Sequence, residues 1–226
     1  MSGLSFYRLQ QLISPGLPIG AFTYSQGMEW AVECGWITSA DSLEAWLHSC
    51  LHDSLAVLEL PVLARLRAAV DSDDRECFQH WADLLLANRE TRELRLEESQ
   101  RARAMTAVLE KLPDSKAMNL ACWQPALAQT QLAPLALACH HWSIPAEDML
   151  RGQAWSWLEN MVTVAVKLVP LGQSDGQQVL YQLSASLDQV VADAQACADE
   201  HIGAFTPAAA IASSLHETQY CRLFRS

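Results

Sequence analysis

The stretch AEDMLRGQAWSWLENMVTVAVKLVP, residues 146–170, decides the fold class. Its apolar side chains recur every three or four residues, the spacing that places them on one face of an α-helix. This stripe consists of Leu150, Ala154, Trp157, Met161, Ala165 and Leu168. We expect the helix to begin after Pro145, with Ser143 as the candidate N-cap, and to stop at Pro170.

A second apolar stripe predicts a helix that faces the first one. It consists of Leu180, Leu183, Leu187, Val190 and Ala194. The spacing favours one helix from about Asp175 to Ala198, so that the two segments form a helical hairpin. Alanine and leucine also far outnumber valine and isoleucine along the chain, which favours helices over strands.

Helix start and stop signals upstream agree with this class. The segment Asp41–Glu44 resembles a capping box that opens a helix toward Leu60, and Pro61 should break or kink that helix. The acidic run 71–74 predicts a new start, and Pro113 should end a run through residues 94–112. We therefore predict an all-α protein: one helical-bundle domain, residues 1–226, of about eight to ten helices with few or no strands.

Charge and cysteine content exclude several functional classes. Lysine and arginine number 15 against 26 aspartate and glutamate residues, which gives a net charge of −11. Such a surface repels nucleic acid and anionic lipid. The apolar runs are too short to span a membrane, and the first ten residues do not resemble a secretory signal. The seven cysteines contain no C-x-x-C pair, so we expect reduced thiols and a cytoplasmic protein.

The last eleven residues, 216–226, form a segment that we call the tail. It contains two arginines, Arg222 and Arg225, and two aromatic residues, Tyr220 and Phe224. Ordering a free chain end costs roughly 1–2 kcal/mol per residue, and contacts with solvent do not return that free energy. We therefore predict that the tail docks, either on its own chain or on another protein.

Two segments are too rich in glycine and proline to be helical. They are Ser14–Gly20 and Pro170–Gly176, which together hold four of the nine glycines. Their composition predicts turn-rich loops, and loops of this kind commonly carry recognition surfaces.

The histidines and cysteines do not form a recognisable metal site. His216-Glu217 lacks the second histidine of an H-E-x-x-H motif. His48 and His52 have i,i+4 spacing, but we expect them to border the core or an interface. His216 and Cys221 remain weak candidates for transient metal contact, and no residue is assigned as a metal ligand.

Two other patterns have plain interpretations. The chain has no glycine-rich loop followed by Lys-Ser or Lys-Thr, so it lacks the usual phosphate-binding motif. The cluster Arg89–Glu93 is typical of a solvated helix face with charge pairs. Glu97 and Arg101 should likewise pair at i,i+4 on the solvent side of their helix.

Four segments together resemble one family. They are SPGLPIGAFTYSQGME (14–29), RETRELR (89–95), KLVPLGQ (167–173) and the run 214–226. This set is similar to urease accessory protein F (UreF), and it extends from the first predicted helix to the last residue.

The resemblance implies a protein that is not an enzyme. UreF proteins are all-α homodimeric scaffolds that join the accessory proteins UreD (UreH in some species) and UreG in the cytoplasm. The complex acts as a GTP-dependent chaperone that delivers nickel to apo-urease. By this resemblance the chain binds no cofactor itself, because nickel and GTP are handled by its partners.

The resemblance also implies which residues contact partners. Five lie in the segment 14–29, one lies in the KLVPLGQ motif and four lie in the tail. By position they are Pro18, Gly20, Tyr24, Ser25, Glu29, Lys167, Arg222, Leu223, Phe224 and Arg225.

Two alternatives remain open at this point. In the first, the chain is a GTPase-activating protein for UreG, and Arg222 or Arg225 enters the partner's active site as an arginine finger. In the second, it is a stand-alone helical metalloenzyme built on His48, His52, His216 and Cys221. The second alternative lacks the Glu-x-x-His pairs that helical di-metal sites use.

Overall fold

The computed structural model describes residues 2–203 and 206–226. Within these ranges all regular structure is helical and no strand occurs, which confirms the all-α prediction. The α-helices are α1 (Gly3–Ile13), α2 (Met28–Glu33), α3 (Ala40–Cys50), α4 (Leu60–Asp71), α5 (Arg75–Ala87), α6 (Arg92–Glu110), α7 (Ser115–Met118), α8 (Leu132–His141), α9 (Ala146–Leu168), α10 (Gln173–Ser184), α11 (Leu187–Ala196) and α12 (Pro207–His216). A π-helix (Leu51–Glu59) joins α3 to α4, and 3-10 turns occur at Ala21–Thr23, Leu120–Trp123, Ala126–Ala128 and Asp199–His201.

Helix α9 is the helix predicted from the opening stretch. Its buried residues include four of the predicted stripe, and it ends before Pro170. Trp157 and Leu168 are only half-buried. The predicted N-cap is wrong, because Ser143 has a left-handed backbone with φ of 52° and Pro145 takes the cap position. Ser143 instead turns the chain between α8 and α9.

The helix predicted over 175–198 is two helices, α10 and α11, which are separated at Ala185–Ser186. The loop predicted over 170–176 is also shorter, since α10 already begins at Gln173. Gly176 lies inside α10, where a Cβ atom would be 2.5 Å from Val166 Cγ2. Its missing side chain therefore permits the close packing of α10 against α9.

Upstream, the start signals are shifted by a few residues. Ser39 caps α3 together with Ser42, two residues before the predicted box. Pro61 lies in the first turn of α4, directly after the π-helix, where a missing amide N–H is tolerated. Asp74 caps α5 by accepting a hydrogen bond from Cys77 N at 2.9 Å. The predicted new start is thus confirmed. The predicted break at Pro61 is not found, because the backbone stays helical from Cys50 through Leu60 into α4 and only the helix type changes from π to α.

The core lies around α4 and α8. Helix α4 packs against α5, α8, α9, α11 and the π-helix. Residues 132–139 of α8 are all buried, so this helix is apolar around its whole circumference. Among the described residues, no helix is long and apolar enough to cross a membrane. Helices α2, α6 and α12 lie to one side of this core and hold the tail together with the part of segment 14–29 that precedes α2, which we call the first loop.

Candidate partner-binding site

The loop before α2 is a series of tight turns. Gly20 has φ of 74°, Gln26 has φ of 54° and Gly27 has φ of 85°, all in the left-handed region. These turns bring Tyr24 and Ser25 into buried positions. The loop is therefore folded back on the protein body, and it forms part of the surface on which the tail docks.

Glu29, in the first turn of α2, holds the tail by its backbone. Its Oε1 accepts a hydrogen bond from Leu223 N at 2.6 Å, and its Oε2 accepts one from Phe224 N at 2.9 Å. The carboxylate is buried, and hydrogen bonds from backbone N–H groups to a carboxylate are stronger than those between neutral groups. Phe224 is buried beside it, which anchors the tail in the protein body.

The end of the tail is fixed by the first loop. Ser226 O accepts hydrogen bonds from Ser25 N at 2.7 Å and from Ser25 Oγ at 2.5 Å. Ser226 Oγ donates to Glu97 Oε2 at 3.2 Å, and Arg225 N donates to Thr23 O at 2.8 Å. The predicted docking of the tail thus takes place on its own chain in this structure.

His216 connects the tail to two acidic side chains. The ring is fully buried, with Nε2 3.1 Å from Glu29 Oε2 and Nδ1 2.7 Å from Glu93 Oε2. Each ring nitrogen is therefore within hydrogen-bonding distance of a different carboxylate. Glu93 also accepts a hydrogen bond from Arg222 Nη1 at 2.6 Å, so α12, α6 and the tail are joined at this point.

The two weak metal candidates are not brought together as a ligand set. Both ring nitrogens of His216 already contact carboxylates, and Cys221 is exposed. Among residues 2–203 and 206–226, no group of three or more histidine, cysteine, aspartate or glutamate side chains could hold a metal ion. All seven cysteines are free.

The ten residues predicted to contact partners divide into two groups. Tyr24, Ser25, Glu29 and Phe224 are buried, and Gly20 is half-buried. Pro18, Lys167, Arg222, Leu223 and Arg225 are exposed, with Leu223 at 68%. The buried group holds the tail and the loop together, whereas four of the exposed residues lie around them.

Lys167 is joined to the same site through an aromatic ring. Its Nζ lies 5.7 Å from the centroid of the Phe22 ring, and Phe22 is itself 54% exposed. A cation over an aromatic face is a favourable contact. Pro18 is exposed, and a proline side chain has no group that forms hydrogen bonds or ion pairs.

An open groove runs between α6 and the tail. It has a volume of about 550 Å³, and three guanidinium groups line it, those of Arg92, Arg222 and Arg225. The acidic residues of the lining are engaged within the protein. Glu93 contacts His216 and Arg222, and Glu217 Oε1 accepts from Arg92 N at 2.9 Å at the start of α6. With three arginines against two glutamates, the lining has a small excess of positive charge on a chain of net charge −11.

Sequence reasoning missed several residues that shape this site. A Cβ atom on Gly27 would lie 2.5 Å from Ser213 N, so glycine is required where the loop meets α12. The side chain of Gln26 donates to Glu97 Oε1 at 3.0 Å and accepts from Trp157 Nε1 at 3.1 Å. The glycine in Ser-Gln-Gly-Met-Glu was the available signal for Gly27, but the partners of Gln26 lie far along the chain.

The prediction of a solvated face for the Arg89–Glu93 cluster is wrong for Arg89 and Thr91, which are both buried. Arg89 is buried between Glu59 and Glu98, with contacts of 2.8 Å and 2.5 Å. We call these three residues the core ion cluster. Burial alone would lower the pKa of Arg89, but the two carboxylates raise it, so the guanidinium stays charged. Thr130 Oγ1 donates to the second oxygen of Glu98 at 2.8 Å.

The prediction that Glu97 and Arg101 face solvent is also wrong. The pair forms at 2.7 Å, but Glu97 is 3% exposed and Arg101 is 9% exposed. The tail, through Ser226, and the loop, through Gln26, cover this part of α6. Both coverings come from segments far away in sequence.

Comparison with known proteins gives one consistent result. The family model described as UreF matches residues 37–184. A protein of Alcanivorax borkumensis named urease accessory protein UreF is 62% identical over 229 residues, with all of both chains covered. A protein of the same name from Pseudomonas putida strain F1 is 49% identical, with 100% of this chain and 99% of the relative covered.

A more distant relative agrees with these two. It is the urease accessory protein UreF of Citrobacter koseri, 44% identical over 220 residues, with 97% of this chain and 96% of the relative covered. Both the matched share of the chain and the identities therefore lead to the same assignment: this chain belongs to the UreF family of urease accessory proteins.

Proposed function

We propose that this chain is a non-catalytic accessory protein that takes part in the maturation of urease in the cytoplasm. In this proposal it forms a homodimeric scaffold that bridges UreD (UreH) and UreG and modulates the GTPase UreG. The complex then inserts nickel into apo-urease. The name that its relatives carry, urease accessory protein UreF, supports the role in urease maturation.

The observation that carries the scaffold proposal is the division of the tail into anchoring and exposed residues. Phe224 and the backbone amides of the tail are engaged by Glu29, whereas Leu223 and Arg225 extend into solvent. Exposed arginine and large apolar side chains are typical anchors of protein interfaces. The hydrogen bonds of Glu29 hold a surface segment in place and do not position a reacting group. This arrangement favours a scaffold over an enzyme.

Preorganisation gives this arrangement a thermodynamic advantage. A partner that binds a flexible segment must also offset the entropy lost when that segment becomes ordered. Here the hydrogen bonds of Glu29 and Ser25 already fix the tail on the protein body. Binding through Leu223 and Arg225 then costs only the ordering of exposed side chains, whereas a partner that binds Arg222 must also compete with its ion pair to Glu93.

The chain's part in nickel and GTP chemistry is, in this proposal, indirect. We propose that the partners hold both, and that this chain fixes the distance between them. The sequence supports this, since it has no lysine and hydroxyl residue after a glycine-rich loop.

Co-expression with UreD and UreG, followed by native mass measurement, tests the scaffold. The expected species contains two copies of this chain together with both partners. The substitutions Arg222→Glu and Leu223→Ser should remove at least one partner from that species. Arg103→Glu, an exposed arginine of α6 outside the groove, is the matched control and should leave the complex intact.

Outcomes that contradict the proposal are equally clear. A monomer that binds neither partner would exclude the scaffold. A complex that forms equally well with Arg222→Glu and Leu223→Ser would exclude the tail as the contact surface. Turnover of a small substrate by the isolated chain would exclude the non-catalytic assignment.

A second candidate function, GTPase activation of UreG, is favoured by the state of Arg225. Its guanidinium is exposed and, among the described residues, has one hydrogen bond, to Gln100 Oε1 at 3.3 Å, whereas Arg222 is paired with Glu93. An arginine finger must leave its own protein to reach the partner's phosphates. Single-turnover GTP hydrolysis by UreG with saturating wild-type chain or Arg225→Lys decides this. Acceleration that the lysine variant lacks would support the candidate, and unchanged hydrolysis would exclude it.

A further inference from the structure

Two histidine rings lie against each other at the junction of α3 and the π-helix. His48 is in the last turn of α3 and His52 is the second residue of the π-helix. Their ring centroids are 4.4 Å apart, with an angle of 34° between the ring planes. Histidines four residues apart on one helical face are the arrangement in which two imidazoles bind one metal ion.

One ring nitrogen of this pair lacks a partner. His52 Nε2 is shielded from solvent and, within the described part of the chain, has no hydrogen-bond partner. Leaving a buried polar atom unsatisfied costs about 1–3 kcal/mol. His48, the other member of the pair, is exposed to solvent. In the tautomer that leaves Nε2 of His52 without a proton, a metal ion would satisfy this nitrogen.

One acidic side chain lies next to this pair in the chain. Asp53, the residue after His52, is exposed and accepts a hydrogen bond from Ser49 Oγ at 2.7 Å. Within the described part of the chain it forms no ion pair, whereas Glu59 is paired with Arg89 at 2.8 Å. Asp53 therefore adds a negative charge beside the two imidazoles.

We propose that His48 and His52 form a binding site for a divalent transition-metal ion of the class that prefers imidazole, such as Ni²⁺, Zn²⁺ or Cu²⁺. Two protein ligands leave the remaining coordination positions to water. No described third ligand completes the set, so the ion exchanges freely instead of stabilising the fold as a closed structural site does. The site does not depend on the proposed scaffold function and lies on a different segment from the tail.

Titration calorimetry with NiCl2 and the full-length, tag-free chain tests the site. We expect one ion per chain, and at least a tenfold weaker affinity in both His48→Gln and His52→Gln. His80→Gln is the matched control, because His80 is also exposed on a helix but contacts Trp81 rather than another histidine. The control should bind as the wild type does.

His48→Gln keeps the test valid if the half-buried His52 proves necessary for folding, because His48 is exposed. Circular dichroism of each variant establishes that it is folded. The proposal is overturned if the wild type binds no Ni²⁺, or if folded His48→Gln binds it with wild-type affinity. It is also overturned if only His216→Gln abolishes binding, since the ion would then belong to the tail.

Discussion

The core ion cluster and the network around Glu29 both bury charge, but they join very different parts of the chain. Arg89, Glu59 and Glu98 lie within forty residues of one another and connect side chain to side chain. Glu29, in contrast, contacts residues 187 to 195 positions away, and two of its three partners are backbone amides. The first network ties neighbouring helices together, and the second returns the chain end to the first loop.

The two networks therefore have different roles: the core ion cluster stabilises the fold, and the contacts of Glu29 hold the tail with part of its side chains exposed. In a side-chain ion pair both charged groups are occupied by each other, as Arg89 is by Glu59 and Glu98 in the core. A carboxylate that binds backbone amides does not occupy the side chains of the residues that it holds.

Leu223 stays exposed although its backbone N–H is bonded to Glu29, and Arg225 stays exposed although its backbone N–H is bonded to Thr23 O. Arg222, in contrast, is paired with Glu93. Substitutions in the two networks should therefore have distinguishable effects.

The largest effect is expected for Arg89→Met. Removing the guanidinium leaves Glu59 and Glu98 buried without a countercharge, which typically costs about 3–5 kcal/mol. The free energy of unfolding, measured by urea denaturation, should fall by this amount. Arg103→Met, on an exposed part of α6, should change it by about 0.5 kcal/mol or less. A loss below about 1 kcal/mol in Arg89→Met, the worth of a surface ion pair, would contradict the role of the cluster.

Glu29→Gln should have the next largest effect, and a local one. The amide has the shape of the carboxylate but only one acceptor oxygen, so it cannot receive both tail amides. We expect a loss of about 1.5–3 kcal/mol, the range for hydrogen bonds to charged groups. Hydrogen exchange at the amides of Leu223 and Phe224 should accelerate, while exchange in α4 and α8 stays slow.

Glu110→Gln serves as the control for that measurement, because Glu110 is exposed at the end of α6. It should leave tail exchange unchanged. Equal protection of Leu223 and Phe224 in Glu29→Gln and in the wild type would mean that side-chain burial alone holds the tail.

The sequence predicted the parts of the fold that depend on local patterns. The stripe on residues 146–170 predicted α9, and the charged and aromatic tail predicted docking. The break at Ala185–Ser186 was not predictable, because Leu183 and Leu187 are both buried and continue the helical spacing across it. The π-helix also left no signal in the apolar pattern.

For the candidate site, the sequence predicted a set of positions, and their role in partner contact stays a prediction; it did not predict how the structure arranges them. The family resemblance implied ten contact residues, yet it could not separate the buried Glu29 from the exposed Arg225. That separation depends on contacts between residues nearly 200 positions apart. Arg89 shows the same limit. A charged run at the start of a helix looks the same in the sequence whether its side chains face water or buried carboxylates.

Gly27→Ala tests the contact between the loop and α12. A left-handed backbone costs a non-glycine residue about 1–2 kcal/mol, and the new Cβ atom would also lie 2.5 Å from Ser213 N. Gly35→Ala is a matched control, because Gly35 has φ of 82° but no atom within 4 Å of its Cβ position. Thermal denaturation should show a larger loss for Gly27→Ala. Equal losses would mean that α12 moves away without cost.

The smallest effect on stability is expected for Arg225→Ala. This variant tests most directly whether anchoring residues and exposed residues of the tail have separate roles. The backbone of Arg225 remains bonded to Thr23 O, and its side chain loses one weak contact with Gln100. The free energy of unfolding should change by about 0.5 kcal/mol or less, as for other exposed positions. If it falls as far as in Glu29→Gln, then Arg225 belongs to the anchor and the division between anchoring and exposed residues is wrong. If the variant keeps its stability but no longer pulls down UreD and UreG, then the side chain of Arg225 serves partner contact and does not stabilise the fold.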